Sequence, residues 1–215
     1  MTTALSDKRR PIRSRNSHFA SVTAKWLAAY GLRPNHISLL SIVFSIFVAT
    51  CLFVSSYVGN PFHYLMFIAA AFFILLRLLC NLFDGMIAIE GGFYSKSGEI
   101  YNDFPDRPSD VLILVATGYA ANTMTGGIEL GWIAAILALL TAYIRLLGNV
   151  AGTKQYFIGP MAKQHRMAVI MMACIFSTVF NAGWVFVSAL CLIVVGSLIT
   201  IVRRLKRIVA DLEKG

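Results

Sequence analysis

The sequence predicts an all-α fold, a polytopic membrane bundle of six transmembrane helices with an N-terminal amphipathic interfacial helix. Three observations predict it. Of 215 residues, 58% are hydrophobic and 13% are charged, with a mean hydropathy of +0.72, whereas an ordinary soluble domain is about 25% charged. The apolar residues fall into runs separated by short polar turns. The basic residues sit at the ends of those runs, where anionic lipid and insertion topology place them. The formal net charge of +9 is therefore read as a membrane signature. Membrane lipids are the expected partners and nucleic acid is not.

Taken in order, residues 1–16 form a basic arm (Lys8, Arg9, Arg10, Arg13, Arg15), expected to be disordered. Residues 17–30 read as an amphipathic helix. Phe19, Val22, Trp26 and Leu27 supply its apolar side, and Trp26 suits a membrane interface, so this helix is expected to lie on the bilayer. Gly31 ends it. Pro34 then opens a new helix, with Asn35 as the expected cap. Six spans follow at 37–58, 62–89, 108–121, 130–150, 167–180 and 184–202. The third and fifth are short against the roughly 20 residues a bilayer needs, so each is expected to include flanking residues. The second is long and can carry Asp84 into the headgroup zone. The domain division is an arm and interfacial helix at 1–35, a six-helix catalytic unit at 36–208, and a tail at 209–215.

Charge orients the bundle. The turns near Gly59, 122–129 and 181–183 lack Lys and Arg, while every loop on the other side carries them. By the positive-inside rule both termini and the acidic stretch face the cytosol. The expectation is a multi-pass protein of a bacterial inner membrane. Residues 1–35 are polar and basic, so no cleavable signal peptide is expected. Cys51, Cys80, Cys174 and Cys191 lie in or beside apolar runs with no C-x2-C pair, and read as packing residues.

The candidate site lies between Asn81 and Asp106. Six of the ten acidic residues are Asp84, Glu90, Glu99, Asp103, Asp106 and Asp110. Unpaired charge in an apolar, membrane-edge setting costs about 2.5–3.5 kcal/mol at a helix centre, so such a cluster implies a cation, a basic partner or a substrate. Asn81, Asp84 and Ala88 are spaced three and four apart and share a helix face. Gly85 leaves room for a ligand beside Asp84. Across a Gly-rich turn (Gly91, Gly92, Gly98), Asn102 and Asp106 are again four apart. Two helices meeting there can aim Asn81, Asp84, Asn102 and Asp106 at one point. Oxygen donors of this kind suit Mg²⁺ or Mn²⁺ shared with a phosphate substrate.

This stretch resembles the CDP-alcohol phosphotransferase (CDP-alcohol phosphatidyltransferase) family, whose motif is D-x2-D-G-x2-A-R-x8-G-x3-D-x3-D. The chain places Asn81, Asp84, Gly85, Ala88, Ile89, Gly98, Asn102 and Asp106 at those positions, five matching at full spacing. The segment from Arg33 to Ser38 is similar to the family's T-P-N-x-[LI]-[ST] lead-in, with Arg33 for threonine. The resemblance implies a membrane enzyme of phospholipid biosynthesis. It would transfer a phosphatidyl-like group from a CDP-alcohol, such as CDP-diacylglycerol, to a hydroxyl acceptor and release CMP. It implies a divalent cation held at Asp84, Asp106, Asn81 and Asn102, a cytidine pocket at Asp84, Gly85, Ala88 and Gly98, and Asp106 as the catalytic base. A homodimer is also implied, and small residues in the third and fourth spans (Ala116, Gly118, Ala120, Ala134, Ala135, Ala138) permit close helix packing.

Asn81 and Asn102 bring no negative charge, which leaves one cation or two open. Asp103 is a substitute ligand if the helix start is irregular at Pro105 and Pro108, and Asp103, Asp106 and Asp110 form a second possible acidic face. For Glu90, Glu99 and Asp110 a solvated loop or a partner for Lys96 or Arg107 is the favoured reading. Arg107 can restrain Asp106 or meet a phosphate. Arg77 and Arg145, inside apolar runs, either snorkel or pair internally, or meet the acidic cluster or a phosphate. Lys163, His165 and Arg166 lie in a basic loop, and the resemblance places such a loop near the acceptor phosphate. His36 and His63 are read as wetted histidines at span starts. Two rivals remain: a catalytically degenerate relative that binds nucleotide or metal, favoured by Asn81, Ile89 and Asn102, and a small transporter, for which no internal repeat is visible.

Overall fold

The computed structural model describes residues 18–59, 61–93, 97–121, 125–180 and 183–214. Its elements are all helical among these residues: α1 (His18–Ala29), α2 (Pro34–Ser55), α3 (Phe62–Glu90), α4 (Gly98–Asp103), α5 (Asp106–Ala120), α6 (Gly127–Val150), α7 (Lys163–Phe180) and α8 (Trp184–Leu212). Four are long and apolar enough to cross a bilayer, namely α2, α3, α6 and α8. The 15 residues of α5 extend about 22 Å at 1.5 Å per residue, less than a hydrocarbon core of about 30 Å. The 18 residues of α7 begin with Lys163 and include Arg166 in the first turn, which shortens its apolar length.

Packing follows the apolar faces. α2 lies along α3 and α5, α5 along α6, α6 along α8, and α3 along α7. The main core joins Val48 and Leu52 of α2, Ile74 of α3, Ile113 and Leu114 of α5, Ile170 of α7 and Leu190 of α8. Outward-facing Phe47, Ile68, Phe72, Ile136 and Leu192 are exposed, as expected of a lipid-facing rim. α1 packs Ala24 and Leu27 against the end of α3 and leaves Val22 and Trp26 outside. Gly31, at φ 78°, follows it in the left-handed region.

One expectation needs correction. Pro34 is the first residue of α2 and Arg33 occupies the cap position without a side-chain bond, so Asn35 lies inside the helix and is not the cap. The small residues of α5 and α6 permit close helix packing, as expected, here between these two helices of one chain. A Cβ on Gly118 would meet Gly127 O at 2.9 Å and Gly131 Cα at 3.0 Å, so the two backbones touch directly. The neighbouring alanines join the same core. The four cysteines are free thiols.

Between α4 and α5, Phe104 and Pro105 keep helical dihedrals. Pro105 nevertheless has no N–H to donate, and the helix is interrupted there. Asn102 and Asp106 therefore sit on separate helices.

Candidate active site

One end of the bundle collects polar groups from six helices. On α3, Asp84 is 3% exposed. Its Oδ2 accepts from Ser38 Oγ of α2 at 2.9 Å, and its Oδ1 accepts from the Gly85 backbone N–H at 2.5 Å. Asp106, at the first turn of α5, is 5% exposed. Its Oδ2 takes the Lys163 ammonium from the first turn of α7. Its Oδ1 is buried without a hydrogen bond and lies 3.7 Å from Arg77 Nη2. Asp84 lies within electrostatic reach of both Lys163 and Asp106. Lys163 and Asp106 thus meet from α7 and α5, and Asp84 of α3 lies within reach of their charges.

A second, sealed cluster supports the first. Asp110, one turn along α5, accepts from Arg77 Nη2 at 2.8 Å on one oxygen and from Arg166 Nη2 at 2.6 Å on the other. All three side chains are essentially out of solvent. Arg166 also donates to Met161 O at 3.0 Å and Thr141 Oγ1 at 3.4 Å. The solvated-loop reading of Asp110 is therefore corrected. Its spacing of four from Asp106 puts both on one face of α5, and that face points into the bundle. Arg166 is corrected as well: at 2% exposed and bonded on three sides, it holds Asp110 and presents no surface to a phosphate. Arg77 pairs with the acidic cluster.

Beside these, Asp103 Oδ1 accepts from Arg107 Nη2 at 2.8 Å and from Arg145 Nη2 at 2.5 Å. Burial raises the Asp103 pKa, but the two guanidiniums outweigh it and hold the carboxyl below its ordinary value of 3.8. Arg145 also lies 5.3 Å over the Phe157 ring. Asp103 is thus engaged by cations, and Arg107 restrains Asp103 where restraint of Asp106 was expected.

The asparagines part company. Asn81 is half-buried and its amide donates to Arg77 O at 3.0 Å, which leaves its carbonyl oxygen as a donor atom toward a cation. Asn102 is exposed on α4. Gly85 is buried, and Ala88 and Gly98 are half-buried. The side chains of Ile89, Glu90 and Glu99, and all of Lys96, lie outside the described residues.

Sequence reasoning assigned no role to Ser38, although it ends the lead-in motif and lies four residues after Pro34. Arg204 was also passed over. It donates to Thr141 O at 2.5 Å and Ile158 O at 3.0 Å, tying α8 to α6 and to the segment preceding α7. Its sequence signal was a cation beyond the last apolar run, which is common to most spanning helices.

The donor set fits one hard cation. Asp84 and Asp106 supply carboxylate oxygens, and Asp106 Oδ1 is an acceptor without a donor. Among the described residues no group of three His, Cys, Asp or Glu converges.

A helical membrane bundle with a buried carboxylate pair at one end defines an integral membrane protein with an enzyme-like polar site. The family model for CDP-alcohol phosphatidyltransferase matches residues 32–203, and the chain belongs to that family. It is accordingly a phosphatidyltransferase of phospholipid synthesis. No curated protein matches it in sequence. In fold it is similar to crystal structures of phosphatidylinositol phosphate synthase from Mycobacterium tuberculosis. The form with CDP-DAG bound gives a TM-score of 0.74 at 20% identity over 89% of this chain and 94% of that one. The form with manganese and citrate gives 0.73 at 21% identity, covering 88% of each chain.

Proposed function

We propose that the site at Asp84 and Asp106 transfers the phosphatidyl group of CDP-diacylglycerol, or a similar CDP-alcohol, to a hydroxyl acceptor. The carrying observation is that the buried carboxylates of Asp84 and Asp106 lie within reach of one Lys163 charge, with one Asp106 oxygen buried and free of hydrogen bonds. The likeness to a synthase crystallised with CDP-DAG, and also with manganese, supports the choice of substrate and of a divalent cation, Mg²⁺ or Mn²⁺. Asp84, Asp106 and the Asn81 carbonyl would hold that cation, which when bound neutralises charge on the pyrophosphate.

The remaining work falls to the chain. Asp106 Oδ1 accepts the proton of the acceptor hydroxyl, while Lys163 on Oδ2 orients the carboxyl. The hydroxyl oxygen forms a bond to the phosphatidyl phosphorus, the bridge between the two phosphates breaks, and CMP leaves. Ser38 and the Gly85 N–H fix Asp84. Gly85, Ala88 and Gly98 line the cytidine side. Six helices span the bilayer in this reading, with α5 and α7 completed by flanking residues. Positive-inside asymmetry puts the site and both termini in the cytosol. A homodimer accords with the family.

The test is CMP release from CDP-diacylglycerol by purified protein with Mg²⁺ or Mn²⁺ and a panel of alcohol acceptors. Release should require both metal and acceptor, and Asp106→Asn should lower it by about 10²–10⁴-fold with the thermal transition preserved. Unchanged turnover in that variant would remove Asp106 from the mechanism.

A further inference from the structure

The carboxylate pair contains a cation of its own. Lys163 Nζ bonds Asp106 Oδ2, and its charge also acts on Asp84 across the site. Lys163 is anchored from both sides in sequence. Met161, two residues earlier, donates its N–H to Thr200 Oγ1 at 3.1 Å and accepts from Arg166 Nη1 at 3.0 Å. Arg166, three residues later, is locked on Asp110. The ammonium is therefore delivered by a braced helix start, with 22% of its side chain exposed.

We propose that Lys163 is a tethered cation shared by the Asp84–Asp106 pair, so that this site binds one divalent cation. The proposal rests on the metal-dependent reading above. Charge supports it. A site of four carboxylates balances two divalent ions. Here Asn81 is neutral, Asn102 is neutral and exposed, and Asp103 is occupied by Arg107 and Arg145. Arg77 also stands 3.7 Å from Asp106 and is shared with Asp110, which takes Arg166, so Asp84, Asp106 and Asp110 are balanced by Lys163, Arg77 and Arg166. One divalent ion then leaves two positive charges, matching the two negative charges of a pyrophosphate diester, whereas a second would leave the site strongly positive. Asp84, Asp106 and the Asn81 carbonyl supply oxygen donors for that one ion.

Direct counting of bound Mn²⁺ tests this without reference to turnover. The full chain in detergent is titrated with Mn²⁺ alone and then with CDP present, and free Mn²⁺ is read by electron paramagnetic resonance. One Mn²⁺ per chain is expected in both cases. Lys163→Met, which removes the competing charge, should bind Mn²⁺ at least about tenfold more tightly. Two ions per chain in the unaltered protein, or none, would overturn the proposal. Weaker or unchanged affinity in a folded Lys163→Met protein would also overturn it. Should that variant fail to fold, the stoichiometry of the unaltered chain decides. CMP release measured on the same preparation separates the two ideas: turnover with two ions bound refutes only the tethered cation, and one ion without turnover refutes only the transferase mechanism.

Discussion

Arg77 and Asp110 are 33 residues apart in the chain and form a hydrogen-bonded ion pair at 2.8 Å with both side chains out of solvent. The second oxygen of Asp110 takes Arg166, so one carboxylate compensates two guanidiniums from α3 and α7. Removing one partner of a buried pair leaves an uncompensated charge. Asp110→Asn should therefore destabilise the protein by about 3–5 kcal/mol, seen as a lowered thermal transition in detergent. A transition within error of the unaltered protein would mean that the cluster contributes nothing to stability.

Ser38→Ala deletes the hydroxyl that donates to Asp84 Oδ2 at 2.9 Å. Groups that orient a metal ligand contribute about 10–100-fold to metal affinity. Mn²⁺ binding should weaken by that factor while the fold is retained. Equal affinity would show that Gly85 alone suffices to orient the carboxylate.

Gly131→Ala tests the α5–α6 contact. The added methyl would lie 2.9 Å from both Gly118 Cα and Leu114 O, backbone atoms that cannot rotate away. A cost of about 1–3 kcal/mol is expected, again as a lowered thermal transition, with Mn²⁺ binding to the remaining folded protein unchanged. A neutral result would indicate that α5 and α6 shift apart freely.

Asp103 and Arg145 should couple in a double-mutant cycle (Asp103→Asn, Arg145→Gln) by about 1 kcal/mol at neutral pH. The folded carboxyl titrates below 3.8, so this stabilisation is fully present above that value. It is lost as the pH falls through the folded pKa and the carboxyl protonates. Coupling that grew on acidification would contradict the assignment.

Much of the site was legible because its grammar is local. The interval from Asp84 to Asp106 spans one helix end, one glycine turn and the start of the next helical stretch. Spacing and motif alone single out Asp84, Gly85 and Asp106. The buried supports were not. Asp110 carries the same spacing signal as Asp106, yet its lack of solvent and its two guanidinium partners depend on α3 and α7 closing over it. The expected solvated role failed for that reason. Asn102 shares the motif spacing with Asp106 yet is exposed where Asp106 is buried, a difference that spacing does not carry.

The sequence by itself determined that the chain is helical, that it belongs in a bilayer, where its long apolar helices run and which acidic stretch matters. Those properties follow from composition and from periodicity within single helices. Only the tertiary structure decided that Lys163 meets Asp106, that Arg166 is sealed against Asp110 and that Arg145 reaches Asp103. These pairings depend on the axial register and rotation of helices packed side by side. That register is set by the fit of many apolar contacts, such as Gly118 against Gly131, and no one-dimensional spacing encodes it.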